Sequence, residues 1–355
     1  MAKTCVTVLF GGTSSLRNYS LASAENVIKN IPKDKYEVVC IGITKKGRWL
    51  YYPNGADGIG SGEWEFNPDC TSAIISPDPM HGGVLKLEND DVSIKRTDVV
   101  FPILHGRNGE DGSVQGLLTL SDIPYVGSDV IASAVCRDKI SLYSQLRARG
   151  FEVADWEVFL QSDLDRLDER CREISDRLGN SLCVKSSCGG ESINTKKVGS
   201  FDELKEAVKL AFTHDDRVVV KKFIYGREFQ IAVFEGNDII VSPVGEVETN
   251  TDNCCSQHIL NTGNLHIPAQ ISEEESSGIR NTAREVYKSL GCSGMAMIDI
   301  FYTDEKKIII NKISTIPGLM PDSPFPKLIE KAGIAFPEML EMLIEKAIEE
   351  GNTEE

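Results

Sequence analysis

The sequence has no apolar run approaching the ~18 residues of a membrane-spanning helix. Its opening residues also lack the layout of a secretory leader. A cytoplasmic protein with no membrane partner is the expectation. Positive charge is in short supply: 38 Lys and Arg stand against 54 Asp and Glu, a net charge of −16. Nucleic acid and anionic membrane both need a concentrated basic face, so neither is expected as a partner. No Cys-x-x-Cys pair occurs, and ten cysteines scattered over 355 residues read as reduced core residues, not a disulfide framework. Internal repeats and low-complexity stretches are absent too. With 41% hydrophobic and 26% charged residues the chain has ordinary globular composition. At roughly 100–200 residues per domain, it has room for two or three domains.

What is present alternates in type. Val6 to Phe10 is a short apolar run ending in Gly11-Gly12, after which Leu21, Ala24, Val27 and Ile28 recur at helical spacing. Strands are expected at Glu37 to Ile43 and at Asp98 to Leu104, and this rhythm predicts a parallel sheet wound with helices, closing near Cys136. Further on, helices are expected at Asp138 to Gly150, Ser162 to Leu178, Leu204 to Phe212, Glu273 to Leu290 and Pro337 to Glu349. Strands fall at 151–160, 181–185, 217–224, 228–234, 238–243, 295–302 and 307–313. Thr303-Asp-Glu-Lys306 closes the last two into a hairpin.

Several loops could carry chemistry. Gly11-Gly12-Thr13-Ser14-Ser15, between strand and helix, suits an anion or carboxylate, or is simply a tight turn. His105-Gly-Arg-Asn-Gly-Glu-Asp-Gly112 follows a strand end, where open α/β sheets place ligands; a structural turn with self-paired charges is the other reading. Cys188-Gly-Gly-Glu-Ser192 could fold over a phosphate or form a plain turn. Lys139 and Lys185 are cations awaiting a partner. Cys254-Cys255 with His258 and His266 lacks zinc-ligand spacing, so no metal is expected there. Along the final hairpin Met297 and Asp299 share a face, as do Lys312 and Ser314. Mg²⁺ rests on one or two carboxylates plus phosphates, whereas here one carboxylate meets an ammonium, so the residues alone favour an Asp–Lys pair.

Taken in order, these segments resemble the D-alanine–D-alanine ligase family of ATP-grasp enzymes, with the D-alanine–D-serine ligases of vancomycin-resistance clusters nearest in look. The markers are Val8-Leu-Phe-Gly-Gly-Thr-Ser14, Ile41-Gly-Ile-Thr-Lys-Lys-Gly-Arg-Trp49, Phe101-Pro-Ile-Leu-His-Gly-Arg-Asn-Gly-Glu-Asp-Gly112 with Gln115-Gly116, Asp138-Lys139, Gly226-Arg-Glu228, Ile298-Asp299 and Thr315-Ile-Pro-Gly318. The resemblance implies an α/β, ATP-grasp architecture. An N-terminal doubly wound parallel-sheet substrate domain would span 1–136, with central and C-terminal α+β domains at 137–222 and 223–355. ATP would lie between the last two, with Mg²⁺ on its phosphates. A D-alanine carboxylate would be phosphorylated and then attacked by the amine of a second D-amino acid. The resemblance matches Lys139, Lys185 and Glu228 to nucleotide contacts, Ser192 to a phosphate loop and Asp299 to a metal ligand. It places Gly12, Ser14, His105, Gly318 and Ser323 around the D-amino acids, and implies a homodimer.

Departures from the pattern are concentrated at the chemistry. Leu16 stands where the family anchors the first substrate's ammonium with Glu, and Met297 where an Arg supports the oxyanion. Lys312 and Ser314 replace Glu and Asn of the metal box, and Glu191 replaces a loop serine. Lys221 replaces the acidic hinge residue that accepts from adenine; a protonated lysine cannot accept. A gap-free count in the lid loop puts Gln257 at the phosphate-binding lysine and His258 at a substrate-side tyrosine. One compensation is readable: Lys312 could set its ammonium against the phosphates and Asp299, with Lys221 and Lys222 nearby. The expectation is a ligase-family chain impaired or inactive in dipeptide formation. The rivals are an active D-Ala–D-X ligase with a rearranged site, and a non-catalytic protein that binds D-amino acids or pairs with an active ligase.

Overall fold

The computed structural model describes residues 3–88, 91–188, 196–248 and 265–351. Three sheets carry the chain. The first has seven strands, β1 (Thr4–Gly11), β2 (Tyr36–Ile43), β3 (Trp49–Tyr52), β4 (Thr71–Ile75), β5 (Gly83–Glu88), β6 (Asp91–Arg96) and β7 (Val99–Ile103), in the spatial order β6-β5-β4-β3-β2-β1-β7. The expected parallel winding holds where β1 pairs with β2 and with β7. β3 to β6 extend it as an antiparallel meander. Helix α1 (Arg17–Asn30) follows β1 and buries Leu21, Ala24, Val27 and Ile28, the four residues whose spacing predicts it. Helices α2 (Ser113–Leu120) and α3 (Val130–Arg137) follow β7.

The second sheet, β10-β9-β11-β8, is antiparallel and consists of β8 (Trp156–Leu160), β9 (Leu182–Ser186), β10 (Lys196–Val198) and β11 (Arg217–Lys222). Helices α5 (Leu167–Leu178) and α6 (Phe201–Phe212) cover one face through Cys171, Ile174, Leu204 and Val208. Its other face turns toward α4 (Lys139–Ala148) and the third sheet through Val219. The helix expected from Ser162 begins only at Leu167. Asp163 accepts the Leu160 backbone N–H at 2.9 Å, and Gln161–Arg166 forms a tight three-residue-per-turn segment.

The third sheet runs β15-β14-β12-β16-β17, with β13 (Ile239–Val241) beside β12. Its other strands are β12 (Arg227–Glu235), β14 (Gly245–Val247), β15 (Leu265–His266), β16 (Met295–Tyr302) and β17 (Ile308–Ser314). Helix α7 (Glu273–Ser289) packs Ile279, Ala283 and Val286 on one face. The other face shares a core with the first sheet through α8 (Pro324–Lys331) and α9 (Phe336–Gly351), where Phe325, Leu340 and Ile344 meet Phe234 and Phe101. Burying large apolar residues from both ends of the chain in one cluster fixes the first sheet's loops over the third sheet's open face. Among the described residues no helix is long and apolar enough to cross a membrane.

Candidate active-site cleft

The floor of the cleft is the face of the third sheet that the first sheet's loops overhang. Antiparallel register sets Gln230 opposite Asp299, Asp299 opposite Lys312, and Met297 opposite Ser314. Opposed residues point to the same face, so these five side chains share the floor. The register shifts after Asp299, where Ile300 pairs with Ile310 and leaves Asn311 as the extra residue. Such a bulge redirects one side chain, and here it turns both Asn311 and Lys312 to the cleft side. Asp299 is buried, and its Oδ1 accepts from Gln230 Nε2 at 3.1 Å.

The roof comes from loops. His105 is buried just past β7, and its Nε2 has no hydrogen-bond partner among the described residues. Burial is the main force holding its imidazole below the usual range; Lys312 adds to it, while Glu110 and the Ile316 backbone oppose it. Glu110 Oε2 accepts from the Gly106 N–H at 2.8 Å and from Arg137 Nη1 at 3.0 Å. That carboxylate is thus held by its own loop and α3. Ser14 Oγ accepts the Leu16 N–H at 3.1 Å, and buried Leu16 projects into the same space. Together Leu16, His105, Glu110, Gln230, Met297, Asp299, Lys312, Ser314, Gly318 and Ser323 line a cavity of about 70 Å³.

The second sheet supplies the other wall. Register places Lys185 opposite Val219 and Lys221 opposite Cys183, so both lysines lie on the face turned toward the third sheet. Lys221 is buried, donates its Nζ hydrogen to Asn311 Oδ1, and sits 5.7 Å from the Phe301 ring centroid. Glu228 is buried on β12 opposite Phe301. Lys139 opens α4, and its Nζ donates to the Ser187 carbonyl at 3.2 Å. Burial, followed by the charges of Lys185, Arg137 and Lys312, pushes the Lys139 ammonium down to about 7.

That depression has a sign. The unfolded chain keeps Lys139 protonated up to about its ordinary 10.5. The native state releases the proton first, so the unfolded state binds more protons above about 7 and stability from this group rises with pH up to about 10.5. The penalty is fully present below 7. In urea unfolding at about pH 7 and about pH 9, wild type should gain stability relative to Lys139→Met at the higher pH. A constant difference between the two proteins would contradict the depression.

The structure therefore gathers His105, Lys139, Lys185, Lys221, Glu228, Met297, Asp299, Lys312, Ser314, Gly318, Ser323 and Leu16 around one cleft, with Gly12 and Ser14 in the loop that ends in Leu16. Glu191, Ser192, Gln257 and His258 lie outside the described residues. Sequence reading had not singled out Gln230, Asn311 or the Arg137–Glu110 pair; the alternating pattern of β12 could have pointed to Gln230, but nothing marks the bulge at Asn311.

The donor set decides which groups fit. Lys139, Lys185, Arg137 and Lys312 are close enough for the latter three to shift the Lys139 proton, a concentration of positive charge that suits phosphates. The residues described on the floor do not suit magnesium. Around Asp299 stand an ammonium at 312, a hydroxyl at 314 and an amide at 230. Among the described residues no three His, Cys, Asp or Glu gather to hold a metal.

Family models described as D-ala D-ala ligase N-terminus and D-ala D-ala ligase C-terminus match residues 5–128 and 145–345. A D-alanine–D-alanine ligase of Acetivibrio thermocellus is 39% identical, with 98% of this chain and 96% of that protein covered. The crystal structure of the VanG D-Ala:D-Ser ligase from Enterococcus faecalis superposes with a TM-score of 0.89 at 33% identity, over 98% of this chain and 100% of that one. The D-alanine–D-alanine ligase from Bacillus anthracis, complexed with ATP, gives a TM-score of 0.73 at 26% identity, over 99% and 100%. With both halves matched and the ATP-grasp architecture shared over nearly its full length, this chain belongs to the D-alanine–D-alanine ligase family.

Proposed function

We propose that this chain keeps the family's nucleotide and D-amino-acid cleft but has lost metal-assisted dipeptide ligation. One observation carries the reading: Met297, Lys312 and Ser314 surround the single floor carboxylate, Asp299, by direct strand register. Leu16 adds an apolar wall where an ammonium would need a counter-charge, and desolvating an ammonium there is unfavourable.

In this reading Lys139, Lys185 and Glu228 hold ATP, which when bound supplies the phosphoryl group that activates a carboxylate. His105, Gly12, Ser14, Gly318 and Ser323 hold the D-amino acid. Met297 offers no donor to a developing oxyanion, and loss of one such donor alone lowers turnover by on the order of 10²–10³. The three units 1–136, 137–222 and 223–355 are part of the proposal, supported by sheets that span 4–103, 156–222 and 227–314.

The test is D-alanyl-D-alanine or D-alanyl-D-serine formation from Mg-ATP and the free amino acids, run beside an active ligase. Folded protein should form neither dipeptide. Dipeptide that disappears on adding EDTA would overturn the reading.

A further inference from the structure

The floor of the cleft does more than lack a metal site. Lys312 lies directly across the strand pair from Asp299, on a strand whose bulge turns Asn311 to the same side. Gln230 Nε2 already occupies Asp299 Oδ1 at 3.1 Å. A second carboxylate lining the cleft, Glu110, is taken by Arg137 and the Gly106 N–H. Around the cleft Arg137, Lys185, Lys221 and Lys312, with Lys139 only part-protonated near pH 7, outnumber the carboxylates of Asp299, Glu110 and Glu228.

We propose that this cleft takes an oligophosphate free of divalent cation, with the Lys312 ammonium standing where a metal would stand. The inference rests on the loss of metal-assisted ligation argued above and names what the altered floor binds in its place.

The argument is one of charge and geometry. A divalent cation cancels two charges of the oligophosphate it chelates, so a cleft richer in fixed cations matches the bare anion better than the complex. A divalent ion entering beside Lys312 would also be repelled by it in a partly water-excluded space, where charges are weakly screened. An ammonium carries three donors on a flexible stem and can follow phosphate oxygens from its strand position without the fixed octahedron magnesium requires. At the far end Lys221 is held by Asn311 and donates only, so the base contributes less than the phosphates to recognition.

The experiment is calorimetric titration of the full chain with ATP and, separately, with inorganic tripolyphosphate, each in EDTA and in excess Mg²⁺. Binding in EDTA should be as tight as in Mg²⁺ or tighter for both probes. Lys312→Gln should weaken binding in EDTA about ten- to hundredfold, and Lys312→Glu should weaken it further and make Mg²⁺ restore it. Circular dichroism and thermal melts establish that each variant is folded. ATP binding that requires Mg²⁺ and ignores Lys312→Gln overturns the inference; if dipeptide also forms, the proposed loss of ligation falls with it. No binding of either probe in any buffer overturns the inference alone, leaving the loss of ligation standing.

Discussion

Changing Leu16→Glu, Met297→Arg, Lys312→Glu and Ser314→Asn together is expected to raise EDTA-sensitive phosphate release from Mg-ATP and D-alanine at least about 10²-fold over the parent chain. The four positions are one structural unit. Met297, Lys312 and Ser314 flank Asp299 by register, and Leu16 closes the same cavity from the loop after β1. Glu at 312 would give magnesium a second carboxylate beside Asp299, and Asn at 314 would add an amide oxygen, the hard oxygen donors that ion prefers. Arg at 297 would point a planar donor fork into the cleft in place of a thioether, and Glu at 16 would face an incoming ammonium. The single change Lys312→Glu should recover far less than the set, because residues that act as a unit do not contribute additively. Phosphate release from the folded fourfold variant that stays at the parent level would show these positions to be insufficient, and would move the cause to the buried lysine at 221 or to the loop positions 191, 257 and 258.

Much of this was readable from the chain, and the parts that were not share a physical character. The helix after β1 announces itself because Leu21, Ala24, Val27 and Ile28 lie on one buried stripe. Strand β16 is an unbroken buried run, and its bounds are those the sequence predicts. The meander β3 to β6 left no comparable mark: its strands are short, Val92 and Ile94 are exposed on the edge strand, and only alternate residues of β4 are buried. Period-two alternation correctly placed Met297 with Asp299 and Lys312 with Ser314. The residue types suggested an Asp299–Lys312 pair, but alternation alone could not fix the register that sets them opposite, since that depends on how many residues the bulge absorbs. The Arg137–Glu110 pair joins residues on separate elements, and no local pattern encodes it. The resemblance to the family implies which positions depart from its chemistry, and the register sets Met297, Lys312 and Ser314 around Asp299.

The loop that carries His105 makes a prediction about stability that separates two kinds of crowding. A Cβ built at Gly109 would overlap the Leu104 carbonyl oxygen and stand 2.5 Å from the carbonyl carbon. Backbone at the end of a buried strand cannot move aside without disturbing β7, so Gly109→Ala should cost about 3 kcal/mol. The Gly109 carbonyl also accepts from Gln115 Nε2 at 2.8 Å, so the same shift would loosen the start of α2. At Gly106 the conflict is of another kind. With φ at +82° the position already disfavours a side chain, a strain of roughly 1–2 kcal/mol for alanine. Its Cβ would overlap Ser14 Oγ, a short side chain that can rotate at the expense of its bond to the Leu16 N–H. Gly106→Ala should therefore cost about 2–3 kcal/mol, of which Ser14→Ala in the same chain restores roughly 1. No side-chain trimming should rescue Gly109→Ala. Urea unfolding of the two singles and the Gly106→Ala/Ser14→Ala double measures both terms. Equal losses at 106 and 109, with no coupling to Ser14, would mean that the loops after β1 and β7 do not touch as described. Coupling at 106 alone would tie the positions of Leu16 and His105, which line the same cavity, to one contact between backbone and serine.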